Sequence, residues 1–153
     1  MPTLKLNHLE RFAAFNLAFL WGKEKNAGGG HGRRIERIQL RLDIEAAEEA
    51  ERANREKPES ERVQWRVDEA RSEYVLDEAD LEWYSRLASE YFGKEEGLPK
   101  YYDQASPNPR VMLHLMEEVQ RTWEAHKASS KSVPAQTSPS DGKQAPANAP
   151  ASI

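Results

Sequence analysis

Residues 33–58 read RRIERIQLRLDIEAAEEAERANREKP, and the fold turns on how far this stretch runs as one helix. Ile35, Ile38, Leu42 and Ala46 recur at i, i+3, i+7 and i+11, one stripe of period 3.6. Leu40, Ile44 and Ala47 make a second stripe on roughly the opposite side. Beyond Ala47 the only apolar residues are Ala50 and Ala53, and a methyl group buries little at roughly 25 cal/mol per Å². Glu48 with Arg52, and Glu51 with Arg55, are i,i+4 pairs in the favourable order, each adding roughly 0.2–0.5 kcal/mol. The pattern predicts a helix over about 33–56, packed on both sides in its first half and solvated in its second.

Pro58 marks the turn that follows, and no glycine or proline occurs from Glu59 to Phe92. Val63, Val67, Ala70, Tyr74 and Leu81 form one helical stripe there, and Trp65, Leu76, Ala79 and Trp83 another. A second long helix over 59–92 is expected, whole or divided at Asp77, the best internal cap. Together the two predict an antiparallel, coiled-coil-like hairpin more than roughly 30 Å long with its tip near Pro58.

Outward from the hairpin the other elements are shorter. Asn7-His8-Leu9-Glu10 has the form of a capping box and starts a helix over 7–21. Leu9, Phe12, Ala13, Asn16, Phe19 and Leu20 share its broad apolar face, and Gly22 ends it. Residues 26–32 carry three consecutive glycines and predict a flexible connector. Residues 94–108 are irregular, with Leu98, Tyr101 and Tyr102 as anchors. Asn108-Pro109 then caps a last helix over 109–127, docked through Met112, Leu115, Val119, Thr122, Trp123 and His126. From 128 to 153 the composition turns to Ser, Pro, Ala, Gln and Lys, and a disordered tail is expected. The expected fold class is all-α: a four- or five-helix bundle-like domain over 1–127, followed by that tail.

Composition narrows the function classes. The chain has 153 residues, 31% of them charged, and a net charge of -4, which argues against coating nucleic acid as a whole. It has no cysteine, so thiol catalysis and Cys-ligated zinc are excluded, and a reducing compartment fits. The apolar run from Phe12 to Trp21 is interrupted by Asn16, is preceded by Glu10 and Arg11, and falls short of the roughly 20 residues of a membrane span. A cytoplasmic protein with no membrane association is expected.

Two features stand out as candidate sites. Arg33, Arg34, Arg37 and Arg41 lie within about 100° on a helical wheel. Arg33 with Arg37, and Arg37 with Arg41, are like charges at i,i+4, and cations sit poorly at a helix N-terminus. A bound anion, a phosphate or an acidic partner, would relieve both problems. Pairing with glutamates of neighbouring helices is the alternative. The second feature is Trp65, on the thinly apolar part of the hairpin and opposite Val63 and Val67, where a tryptophan would anchor a partner.

No catalytic constellation emerges. His8, His31, His114 and His126 have no metal-ligand spacing, Gly28 to Gly32 is followed by no Gly-Lys-Ser/Thr, and no serine sits in a nucleophile elbow. No metal and no cofactor are expected, and the chain is read as no enzyme. The expectation is a protein–protein interaction or assembly factor, of the kind small phage or bacterial accessory proteins provide, with a protein partner or copies of itself. The second choice is a nucleic-acid-associated regulator working through the Arg33–Arg41 face.

Overall fold

The computed structural model describes residues 1–132, without the side chains of the last two. The disordered tail was expected over 128–153; residues 128–132 are instead helical, and the rest, 133–153, lies outside the described residues. The chain divides into a compact unit, Met1–Thr122, and a second unit from Trp123 onward. In chain order the elements are β1 (Thr3–Leu6), α1 (His8–Glu24), α2 (Gly29–Arg41), α3 (Ile44–Arg55), a 3₁₀ turn (Glu59–Glu61), β2 (Ser72–Val75), α4 (Glu78–Gly93), α5 (Lys100–Ala105) and α6 (Pro109–Ser132). The fold is all-α, with one small two-stranded sheet.

The long hairpin is not formed. The first of its helices breaks at Asp43, whose backbone is left-handed with φ 51° and ψ 52°, a conformation Asp tolerates better than most residues. The Arg11 guanidinium donates to the backbone oxygens of Leu42 and Asp43 at 3.0 and 3.3 Å and so holds the break, where the Asp43 carbonyl also accepts the Ala47 N–H. The second predicted helix fails over 62–77. There the chain is extended, and Ser72–Val75 pairs antiparallel with Thr3–Leu6 in the register Thr3 to Val75 and Leu6 to Ser72. Val63, Val67, Tyr74 and Val75 are β-branched or aromatic, as suited to extended backbone as to a helix.

Side chains hold this loop. The Asn54 amide pairs with Val63 as a strand would, donating to its carbonyl at 3.0 Å and accepting from its N–H at 2.8 Å. Arg62 donates to the carbonyls of Arg55 and Lys57 at the end of α3, both at 3.0 Å. The Asn7 amide donates to the Val67 carbonyl at 2.9 Å. Asp77 is the residue before α4, where a new helix start was expected.

The capping box of α1 is present. Glu10 N–H donates to Asn7 Oδ1 at 3.0 Å, and Asn7 N–H donates to Glu10 Oε1 at 3.1 Å. Its buried face is displaced from the expected one: of the expected residues only Ala13 is buried, together with Ala14, Leu17 and Ala18, while Phe19 is half exposed. The alanines let the neighbouring elements approach closely, and the Tyr84 hydroxyl of α4 donates to the Ala14 carbonyl at 2.5 Å. The helix continues through Gly22 to Glu24 rather than ending there, and at Gly22 His31 occupies the space a β-carbon would need. A Cβ on Gly22 would stand 2.5 Å from the His31 ring. The glycine connector is correspondingly shorter, since α2 begins at Gly29. Tyr101 and Tyr102 are buried as anchors, but on a short helix, α5, where a loop was expected. Arg110 N–H donates to the Asn108 side-chain oxygen at 2.9 Å, and α6 buries Met112, Leu115 and Val119. It runs to Ser132, past the expected end at 127.

Candidate functional site

Three of the four arginines on α2 face the start of α4. The Arg34 Nε donates to Asp80 Oδ1 at 2.8 Å, and Arg37 donates to both Asp80 oxygens, through Nη2 at 2.8 Å and Nε at 3.0 Å. Arg41 meets Asp77 at 3.0 Å, and Arg37 lies 3.6 Å from the same carboxylate. Asp80 is fully buried, whereas Asp77, Arg37 and Arg41 remain partly in water. Burial pushes the Asp80 pKa upward, but the hydrogen bonds and charges of Arg37 and Arg34 outweigh it and hold the carboxyl below its usual range. Arg34 also lies over the Trp83 ring, 5.2 Å from its centre. The repulsion along α2 is thus relieved from within the chain. Arg33 and Arg41 are exposed, and Arg33 alone of the four makes no ion pair with a described residue.

The partners are aspartates, Asp77 just before α4 and Asp80 in its first turn, not the glutamates expected. The signal was present in the sequence: Asp77 and Asp80 are spaced i,i+3 at a helix start, matching the i, i+3, i+7 spacing of Arg34, Arg37 and Arg41.

Trp65 is not on a helix. It is half-buried and stacks on the His8 ring, with centroids 4.1 Å apart and planes 13° apart. His8 Nε2 stands 3.0 Å from Glu51 of α3, and Phe12 meets the other side of the ring edge-on. The stack joins the loop to α1 and α3.

A buried carboxylate that sequence reasoning assigned only to capping has a second role. Glu10 is 1% exposed, and Arg71 grips it through Nη2 at 2.7 Å and Nε at 2.9 Å. His114 of α6 stands 3.9 Å from Glu10 and 3.4 Å from Arg71. His31 packs against Trp21 and Trp83, with ring centres at 4.7 and 5.2 Å in a cluster where the two tryptophans also meet at 5.3 Å, and its Nε2 is 2.9 Å from the Ala18 carbonyl. Among the described residues no group of three or more His, Asp or Glu side chains is placed to hold a metal ion. No described helix is long and apolar enough to cross a membrane.

The most exposed large apolar side chain of the helices is Leu40, at 78%. It sits in a cleft of about 350 Å³ at the elbow between α2 and α3, lined also by Glu36, Gln39, Asp43 and Glu45. The left-handed turn at Asp43 creates the elbow. Compared with protein-family models, curated proteins and solved structures, the chain matches none.

Proposed function

We propose that the protein is a non-catalytic protein–protein interaction or assembly factor, and that it takes a protein partner at the elbow between α2 and α3. The observation that carries this reading is Leu40. Scattered exposed apolar residues are ordinary, but this one lies in a concave site with three carboxylates around it. An apolar side chain flanked by lysine or arginine is the complementary partner surface. The arm expected to do this work, a hairpin tip near Pro58, is replaced by a loop tied down by Asn54 and Arg62.

The nucleic-acid reading needs unpaired arginines. Arg34, Arg37 and Arg41 are already on Asp77 and Asp80, so it ranks below the protein reading. A cytoplasmic setting is part of the proposal, supported by a chain without cysteine.

Cross-linking and affinity capture from the native cell, comparing wild type with Leu40→Glu, tests the proposal. The expected result is a defined partner recovered with the wild type and lost with the variant, while the melting temperatures agree, because Leu40 supports little of the core. Recovery of the same partners by both chains would refute the elbow as the site.

A further inference from the structure

We infer that the cleft between the end of α1 and the middle of α4 binds a small carboxylate carrying a flat aromatic ring. The cleft measures about 300 Å³ and is walled by Trp21, Trp83 and Tyr101, with Lys25, Arg86 and Glu90 as its charged groups. That volume is at the lower end for small-molecule sites, whose usual lining is aromatic with a few placed polar groups. The walls are set before any ligand arrives. The Trp21 and Trp83 rings meet edge-on at 5.3 Å, and His31 and Arg34 each pack on Trp83 at 5.2 Å. The Tyr101 hydroxyl donates to Glu90 at 3.2 Å.

The polar groups of the cleft decide which ligand fits. Trp83 is 5% exposed, and a tryptophan so buried normally gives its indole N–H a partner. This N–H bonds to no described residue. Nor is it sealed in: among the described residues, the fully buried side-chain nitrogens and oxygens without a partner are Arg11 Nε and His31 Nδ1. The Trp83 N–H therefore meets the surface, and the cleft is the surface that this side chain lines. The half-buried Trp21 also has an indole N–H without a described partner. Lys25 makes no ion pair with a described residue. Arg86 meets Glu82 at 3.8 Å, with both side chains more than half exposed, a contact that leaves the guanidinium available. Glu90, the one carboxylate on the lining, already accepts the hydroxyls of Tyr102 and Tyr101. Glu24 is near enough to act on Tyr101 but does not line the cleft. The cleft is thus left with donors to spare, two indole N–H groups and two cations, above aromatic walls. A carboxylate takes the donors and a flat ring takes the walls. An organic cation would suit the rings alone, but Lys25 and Arg86 repel it and it leaves both indole donors unmet. None of these residues belongs to the α2–α3 elbow, so the inference stands apart from that reading.

Titration of the full, nitrogen-labelled chain with three probes of one shape tests it: naphthoate, its neutral amide naphthamide, and the cation naphthylmethylammonium. The readout is the indole N–H magnetic-resonance signals of the four tryptophans. With naphthoate, those of Trp21 and Trp83 should move and saturate at millimolar concentration or below, while those of Trp65 and Trp123 stay. The amide should bind about tenfold more weakly, having lost the charge. Lys25→Ala combined with Arg86→Ala, both on the surface, should also weaken naphthoate binding about tenfold with the melting temperature unchanged. Leu40→Glu should leave the affinity as it is. Trp21 and Trp83 signals that stay still, or move no more than those of Trp65 and Trp123, would overturn the inference. So would equal affinity in the double variant, or tighter binding of the ammonium probe, which would make the cleft a cation site built on Glu90.

Discussion

Replacing Asp80 by Asn tests whether the arginine face is held by its own carboxylates. Asp80 accepts three hydrogen bonds from two guanidinium groups, and bonds to charged groups contribute roughly 1.5–3 kcal/mol each. An asparagine can keep its oxygen at the Oδ1 position, where two of the three bonds end, but it loses the bond at Oδ2, turns an NH₂ toward Arg37 Nε and removes the negative charge from both arginines. The side chains of Arg34 and Arg37 are 24% and 39% exposed, so water takes over part of what is lost. The net cost is then about 2–3 kcal/mol, near the lower end of the range for breaking a buried pair. For a unit the size of Met1–Thr122, that lowers the melting temperature by roughly 6–15 °C. Asp77→Asn is the control: its carboxylate and Arg41 are both partly in water, and the change should cost less than about 1 kcal/mol. Thermal unfolding followed by circular dichroism measures both. The pH dependence adds a second check. The folded pKa of Asp80 is depressed, so its contribution is fully present above the ordinary value of 3.8 and is lost as pH falls through the lower folded value. The gap between wild type and Asp80→Asn should stay constant near neutrality and close in that acid range. A drop for Asp80→Asn no larger than for Asp77→Asn would refute the reasoning.

Gly22→Ala sets a helix-propensity gain of roughly 1 kcal/mol against a Cβ pressed into a His31 ring that two tryptophans confine, worth about 1–3 kcal/mol. A net loss of about 1 kcal/mol is expected in denaturant titration, and a gain in stability would show the ring free to move. Asn54→Ala removes both bonds to Val63 at an exposed site and should cost about 1 kcal/mol, with faster amide exchange at Val63 as the local readout. At high pH, burial raises the hydroxyl pKa of Tyr84 and Tyr102, and pushes that of Tyr101 up to about 12. Stability from keeping these hydroxyls neutral is present below their ordinary value of 10 and is lost as pH rises through the higher folded values. Helix signal and phenolate absorbance should therefore change together in that alkaline range. Phenolate appearing before any loss of helix would show the hydroxyls reachable in the folded state.

The helices that the sequence made legible are those whose ends carry their own chemistry. Asn7 with Glu10, and Asn108 with Pro109, are local signals, and both helices start where these residues stand. The break at Asp43 and the non-helical stretch over 62–77 were illegible for the opposite reason, although 44–55 is helical as expected. Their conformation is imposed by Arg11, Asn7 and β1, partners 30 to 70 residues away, whereas Val63, Val67 and Tyr74 alone satisfy a helical period as well as a strand. The arginine face was visible as a charge pattern, but its occupants were not, because nothing local ties Asp80 to α2. Leu40 belonged to an apolar stripe with Ile44 and Ala47; beyond the break at Asp43 those two are buried, while Leu40, on the side of α2 away from Ile38, is left outside.

The pairing of Thr3–Leu6 with Ser72–Val75 has a consequence for synthesis. Leu4 and Leu6 are among the most buried side chains, yet the strand beside them is made some 65 residues later. At about 5–20 residues per second, the N-terminal segment waits several seconds for that strand to leave the ribosome. The contact between Gly22 and His31 is local, so α1 and α2 can dock long before. Thr3–Leu6 is thus made before the helices yet is among the last segments to find its place, and a bulky insertion beside Thr3 would act on that closing step more than on the helices.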